Sequence, residues 1–272
     1  MKKSCIGIFD SGFGGLIVMK DIVKALPEFD FVYLGDSARI PYGSRSSELV
    51  LQFCTDAVDF LFANNCDLIV FACNTASSEA LKVLQQNYLP KLADSRRILG
   101  VIIPAAEEAC AVTKNERVGV IATEGTVNSG SFVREIKKVN PKVEVFQNAC
   151  PLLVPIVEAG EHESEITDLM LNKYLQPLIE NDIDTLILGC THYGLLEKKI
   201  RAILGDKVNI ISEGPVVAKK LRAYLDRHPE ITKNISTNSS RTFFSSDLTD
   251  RFRILGSEFF GQEIEVKRAS LG

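Results

Sequence analysis

The sequence has no tryptophan, only three histidines and three methionines, and no surplus of basic residues. With a formal net charge of -4 it offers no broad phosphate-binding face, so nucleic acid is not an expected partner. No apolar run approaches the roughly 18 residues of a membrane-spanning helix. The opening segment MKKSCIGIFDSG reaches Asp10 after too short a hydrophobic stretch for a secretory signal. A soluble, cytoplasmic protein is expected, with no membrane partner. The seven cysteines (Cys5, Cys54, Cys66, Cys73, Cys110, Cys150 and Cys190) are odd in number and show no CxxC spacing. Neither a disulfide framework nor a metal site is therefore expected.

The 272 residues, 46% of them hydrophobic, suffice for one large domain or two of ordinary size. Short β-rich runs recur at 4–9, 31–34, 68–72, 98–102, 118–121, 143–146, 185–188, 208–211 and 241–244. They are continuously apolar rather than alternating, as suits parallel strands covered on both faces. Between them lie stretches with apolar spacing near 3.6, at 46–64, 75–86, 129–139, 163–180 and 215–225, which read as crossover helices. The hydrophilic HPEITKNISTNSS, 228–240, reads as a surface loop before a last strand and helix. The alternation predicts an α/β fold.

An internal repeat sharpens this reading. DLIVFACNT, ending at Cys73-Asn74-Thr75, aligns with DTLILGCTH, ending at Cys190-Thr191-His192, at an offset of 117 residues. GIFDSG, with Asp10-Ser11, aligns with GVIATE, in which Thr123 stands opposite Ser11, at an offset of 112. Two pseudo-symmetric, doubly wound units with mostly parallel sheets would each present strand C-termini to a shared cleft, the usual ligand position of such sheets. Two equivalent cysteines would then face one pocket from opposite sides.

Four motifs carry chemistry. FDSGFGGL, 9–16, runs from a strand through a glycine-rich turn into a helix, but it lacks the Lys-Ser/Thr of a Walker A loop and does not complete GxGxxG. Asp10 within it is either a turn-forming aspartate or a buried carboxylate with a chemical role. GDSARIPYGSRS, 35–46, is an ordered loop in which the amides of Gly43 and Ser44 and the Tyr42 hydroxyl could hold a carboxylate; a structural turn with solvated arginines reads equally well. ACNTAS and GCTHYG each place a cysteine between a buried strand and a helix start, where the helix dipole favours thiolate. The other five cysteines read as small core residues. Taking a proton from an amino-acid Cα on one face and returning one on the other needs two acid/base groups, and tuned thiols can serve as both. Asp10 is the proton-handling candidate beside Cys73. His192 is the candidate beside Cys190, with Glu158 of VPIVEAG a further one; a capping histidine and a plain surface carboxylate are the bland alternatives.

FDSGFGGL, GDSARIPYGSRS, ACNTAS, LLVPIVEAG and LILGCTHYGLL together resemble, in order and spacing, the motifs of bacterial glutamate racemases in the aspartate/glutamate racemase superfamily. The resemblance implies interconversion of L- and D-glutamate for peptidoglycan, with no pyridoxal phosphate or metal cofactor. It places the catalytic cysteines at Cys73 and Cys190, Cys190 acting on the L-isomer. Substrate contacts fall on Asp10, Ser11, Pro41, Tyr42, Gly43, Asn74, Thr75, Thr191 and His192, with Thr123 and Thr126 completing the set. It also implies two α/β domains, 1–99 with 212–272 and 100–211, and is compatible with a homodimer. Gly194 departs from the family, which usually has proline there, and would loosen the loop behind His192. The chain starts only a few residues before the first strand, so activation through an N-terminal extension is not expected. The competing functions are an aspartate or hydantoin racemase of the same superfamily and a non-catalytic small-ligand binder, for which a matched cysteine pair has no use. A cysteine hydrolase would leave the second thiol unexplained.

Overall fold

A computed structural model describes residues 3–92 and 96–272, so Met1 and Lys2 of the opening segment lie outside the described residues. The first sheet contains β1 (Cys5–Asp10), β2 (Phe31–Gly35), β3 (Cys66–Phe71), β4 (Arg97–Gly100), β9 (Arg241–Ser245) and β10 (Val266–Arg268), in the order β10-β9-β2-β1-β3-β4. The second contains β5 (Arg117–Ala122), β6 (Glu144–Ala149), β7 (Thr185–Gly189) and β8 (Asn209–Ile211), in the order β6-β5-β7-β8. All the pairings between these strands are parallel. β1, β2 and β7 are buried along their whole length, which explains their continuous apolar sequences.

The order β2-β1-β3-β4 recurs as β6-β5-β7-β8, and the register recurs with it. Gly7 pairs with Ile69 in the first sheet and Gly119 with Leu186 in the second, the residues that the offsets of 112 and 117 match. The repeat seen in the sequence is thus a repeat of three-dimensional position. β9 and β10 extend the first sheet alone.

Helix starts follow local chemistry. The helix Ser47–Ala63 is capped by Ser46, whose hydroxyl accepts from the Leu49 amide, and it buries Val50, Cys54, Ala57, Val58, Leu61 and Phe62 along one stripe. The stretch expected as one helix over 75–86 is instead divided into Asn74–Glu79, Leu81–Val83 and a π-turn Leu84–Tyr88. The Ser78 hydroxyl turns back onto the Thr75 carbonyl, bonding of the kind that bends helices, while the Ser77 hydroxyl donates to Phe71 in β3. The run expected as a strand to Ile102 stops at Gly100, and Ile102 opens the helix Ile102–Val112, whose first turn accommodates Pro104. The polar segment 228–240 holds one helical turn, Pro229–Thr232, and is pinned by Asp30, which accepts from Ser236, Asn238 and Ser240. β10 escaped the sequence reading because its three residues, Val-Lys-Arg, are an exposed edge with no apolar signature.

The largest core cluster runs through both sheets, joining Ile6, Leu16 and Val70 to Ile121, Leu188 and Leu196. The helix Glu213–Arg227 lies between the halves, against both Gly15–Ala25 and Ile102–Val112. Among the described residues no helix is long and apolar enough to cross a membrane. In the second sheet's own core, Phe132 is fully buried and its ring lies 2.9 Å from where a Cβ on Gly189 would stand. Phe132→Ala is expected to lower the unfolding free energy by about 3–5 kcal/mol, measured by urea denaturation.

Candidate active site

A cavity of about 240 Å³ opens at the carboxyl ends of the strands of both sheets. Its wall takes Ser11 and Gly12 from the turn after β1, Pro41, Tyr42, Gly43 and Ser44 from the loop after β2, Cys73, Asn74 and Thr75 from the end of β3, and Thr123 and Glu124 from the end of β5. The segment after β6 supplies Cys150, Val154 and Glu158, and the end of β7 supplies Cys190, Thr191 and His192. Among the described residues no lysine or arginine lines it, so neutral donors and His192 are the groups available to hold an anion there. Among the described residues no three His, Cys, Asp or Glu side chains cluster so as to hold a metal ion.

The two thiols occupy matching places but differ in detail. Cys73 caps the short helix Asn74–Glu79, its Sγ accepting from the Ala76 amide at 3.5 Å and donating to Ser11 Oγ at 3.4 Å. Cys190 precedes a 3₁₀ segment, Thr191–Leu196, makes no capping bond, and has His192 Nδ1 at 3.9 Å. The helix-start dipole is not the dominant influence on either. Burial, then the charge of Asp10, pushes Cys73 up to about 12 against the lowering pull of its Ser11 and Ala76 contacts. Burial likewise holds Cys190 well above the ordinary thiol range, with Cys73, Asp10 and Glu213 adding to it. Burial thus favours the neutral form of both thiols.

Asp10 lies beneath the cavity rather than on its wall. It is fully buried, its Oδ1 accepting from Thr191 Oγ1 at 3.2 Å and its Oδ2 from the Gly12 amide at 3.0 Å. Burial raises its pKa, partly countered by His192. Its influence on Cys73 is exerted through charge, while Ser11 makes the hydrogen bond. On the opposite side, His192 Nε2 stands 3.2 Å from Glu158 Oε1, within ion-pair reach although not aligned for a hydrogen bond. Phe13 and Phe259 hold the imidazole edge-on.

The glycine-rich turn also has a packing role. A Cβ on Gly14 would lie 2.5 Å from Thr191 Oγ1 and 2.6 Å from His192 Nδ1. Across the mouth, a Cβ on Gly43 would lie 2.8 Å from Thr123 Cβ, and Thr75 Oγ1 meets Thr123 Oγ1 at 3.0 Å. Glycine at these positions lets the two halves touch.

Two expected contacts point elsewhere. The Tyr42 ring lines the cavity, but its hydroxyl donates to Asp36 Oδ2 at 2.5 Å in a network with Arg39 and Ser246. It is thus engaged in holding the loop. Arg39 also pairs with Asp56, so it is not the solvated arginine of the alternative reading. Thr126 is fully buried behind Thr123, which it meets through both its hydroxyl and its amide, and it does not reach the wall. The turn containing Gly194 is a packed 3₁₀ segment, secured by the buried Tyr193 hydroxyl on the Cys150 carbonyl at 3.0 Å.

One residue was not singled out in the sequence. Glu213, at the start of the helix that joins the halves, is buried and accepts from Asn74 Nδ2 at 2.8 Å, while its Oε1 has no partner. Burial pushes its carboxyl up to about 8. The only local signal was an acidic residue two positions after a strand end, at the start of a helix.

Fold and cavity together define a class: a two-sheet parallel α/β protein that presents a cysteine at the matched strand end of each half to a shared cavity. A family model described as Asp/Glu/Hydantoin racemase matches residues 6–221. The glutamate racemase of Geobacter metallireducens is 42% identical over 272 residues, covering 100% of this chain and 98% of that protein. The crystal structure of a glutamate racemase isoform from Bacillus anthracis superposes with a TM-score of 0.91 at 37% identity, covering 100% of this chain and 99% of that one. That of glutamate racemase from Francisella tularensis in complex with D-glutamate gives 0.89 at 33% identity, covering 99% and 98%. The chain belongs to the Asp/Glu/hydantoin racemase family.

Gly14→Ala should keep the backbone angle yet displace Thr191 and His192, lowering kcat/KM at least about tenfold while the far-ultraviolet circular dichroism stays native. For Glu213, the folded carboxyl keeps its proton up to about pH 8 whereas the unfolded one loses it near its ordinary value of 4.5. Its contribution to stability is thus present at low pH and lost as pH rises across that window. Glu213→Gln mimics the neutral acid, so it should stabilise the fold relative to the parent by an amount that grows from pH 4.5 to 8 and then levels, on the order of a few kcal/mol. Urea unfolding at a series of pH values measures it.

Proposed function

We propose that this chain interconverts L- and D-glutamate by a two-base mechanism that needs no cofactor, with Cys73 and Cys190 acting on opposite faces of Cα. The single observation that carries this reading is the pair of thiols at matched strand ends, one from each half, on one cavity wall. Because burial favours the neutral form of both, each must hand off its proton before it can act as a base. For Cys190 the acceptor is His192 Nδ1, with Glu158 stabilising the imidazolium from the Nε2 side. For Cys73 the acceptor is the Asp10 carboxylate, with the Ser11 hydroxyl, hydrogen-bonded to the sulfur, taking the thiol proton as it passes its own on.

The L-isomer loses its Cα proton to the Cys190 thiolate, and Cys73 delivers a proton to the other face. Starting from the D-isomer the roles exchange. The carbanionic intermediate needs donors aimed at the α-carboxylate, and Ser11, Asn74, Thr75, Thr123 and Thr191 line the cavity as neutral donors. Such donors are worth more in a site that excludes water. Closure of two bodies, 1–99 with 212–272 against 100–211, would supply that exclusion. The relative from Francisella tularensis, seen with D-glutamate, supports glutamate as the substrate. In this reading the protein works in the cytoplasm and supplies D-glutamate to peptidoglycan.

Incubation with L-glutamate in D₂O tests the scheme. Newly formed D-glutamate should carry deuterium at Cα from the first turnovers while the remaining L-glutamate stays protiated, because two separate groups handle the two protons. Cys73→Ser and Cys190→Ser should each lower interconversion at least about a hundredfold. Normal racemisation by either variant, or faster turnover of aspartate than of glutamate, would overturn the assignment.

A further inference from the structure

Two cysteines that the racemase chemistry does not use stand against each other at the other end of the first sheet. Cys5 opens β1 and Cys66 opens β3, and the two are partners in the parallel pairing of those strands. Neighbouring strands run about 4.8 Å apart, inside the Cα separations of roughly 4.4–6.8 Å that a disulfide spans. The sulfurs are 3.0 Å apart. Cys66 is fully enclosed and Cys5 is 9% exposed, its sulfur also facing the carbonyls of Asn64 and Asn65 at 3.5 and 3.4 Å.

We propose that Cys5 and Cys66 form a redox modification site, a dithiol that a hydroperoxide converts into an intramolecular disulfide. The Cys5 thiolate attacks the terminal peroxide oxygen, breaking the O–O bond; the sulfur becomes a sulfenic acid and the alkoxide takes up a proton and leaves as alcohol, or as water for hydrogen peroxide. Cys66 then loses its proton and attacks the sulfenic sulfur, the S–O bond breaks, and water leaves. In total two thiols lose two electrons and two protons, and the hydroperoxide is reduced to alcohol and water.

The division of roles follows from the geometry: the sulfur nearer solvent meets the oxidant and the enclosed one resolves it. The electrostatics agree. Of the seven thiols only Cys5 is held below its ordinary range, chiefly by hydrogen bonding with Cys66, whereas burial raises Cys54, Cys73, Cys110, Cys150 and Cys190. Cys66 itself is raised, first by its bond with Cys5. The reaction would thus select this pair over Cys73, Cys150 and Cys190 of the cavity.

The test treats the fully reduced chain with hydrogen peroxide, stops the reaction by alkylation at intervals and maps peptides by mass spectrometry. The expected result is a linked Cys5–Cys66 peptide lighter by two hydrogen atoms than the sum of its parts, appearing at least about tenfold faster than Cys73 or Cys190 loses its alkylatable thiol. In Cys66→Ser, Cys5 should stop at the sulfenic acid and be captured by dimedone, with no linked peptide. Oxidation of any cavity thiol while Cys5 and Cys66 remain alkylatable would overturn the proposal. So would a wild-type Cys5 that accumulates the dimedone adduct without forming the link. The wild-type mapping decides the matter even if the serine variant fails to fold.

Discussion

The hydrogen bond between the wholly buried Asp10 and Thr191 is the contact on which the rest of the site depends. Asp10 ends β1 in the first sheet and Thr191 follows β7 in the second, so one side chain ties together the carboxyl ends of both sheets. Its second oxygen holds the Gly12 amide and thereby sets the path of the glycine-rich turn. That turn can reach Thr191 and His192 only because Gly14 has no side chain.

Closeness has an electrostatic consequence. The contact that brings the thiols to one cavity also removes them from water, and desolvation outweighs the capping contacts that would favour thiolate. A group held neutral can donate a proton at once but must pass its own to a neighbour before accepting one. The surroundings of the two thiols differ: Cys190 has an imidazole backed by a carboxylate, and Cys73 has a hydroxyl with a buried carboxyl nearby. The backbone repeat is close to symmetric, and the groups beside the thiols are not.

Much of the fold was legible because the strands are short, continuously apolar and separated by amphipathic helices. The repeat was legible because Cys73 and Cys190 each follow an aspartate by the same number of residues at the end of a buried strand. The failures have physical causes. β10 is too short and polar to carry a pattern, and the 75–86 stretch breaks where the Ser78 hydroxyl competes for a backbone carbonyl. Tyr42 could be read as a ligand donor or as part of a structural turn, and Asp36, six residues earlier, takes its hydroxyl while the ring still lines the cavity. Glu213 gave almost no signal, since its importance lies in meeting Asn74, which is 139 residues away in the chain.

By itself the sequence determined the parallel α/β architecture, the duplication and the matched strand-end positions of Cys73 and Cys190. These follow from apolar periodicity and from local order along the chain, which hold whatever the final packing. Only the tertiary structure decided that burial favours the neutral thiols, that Asp10 lies under the floor of the cavity, that Glu213 is a buried acid and that Cys5 touches Cys66. Burial and contact between distant segments set those properties, and neither is encoded at any single position of the chain.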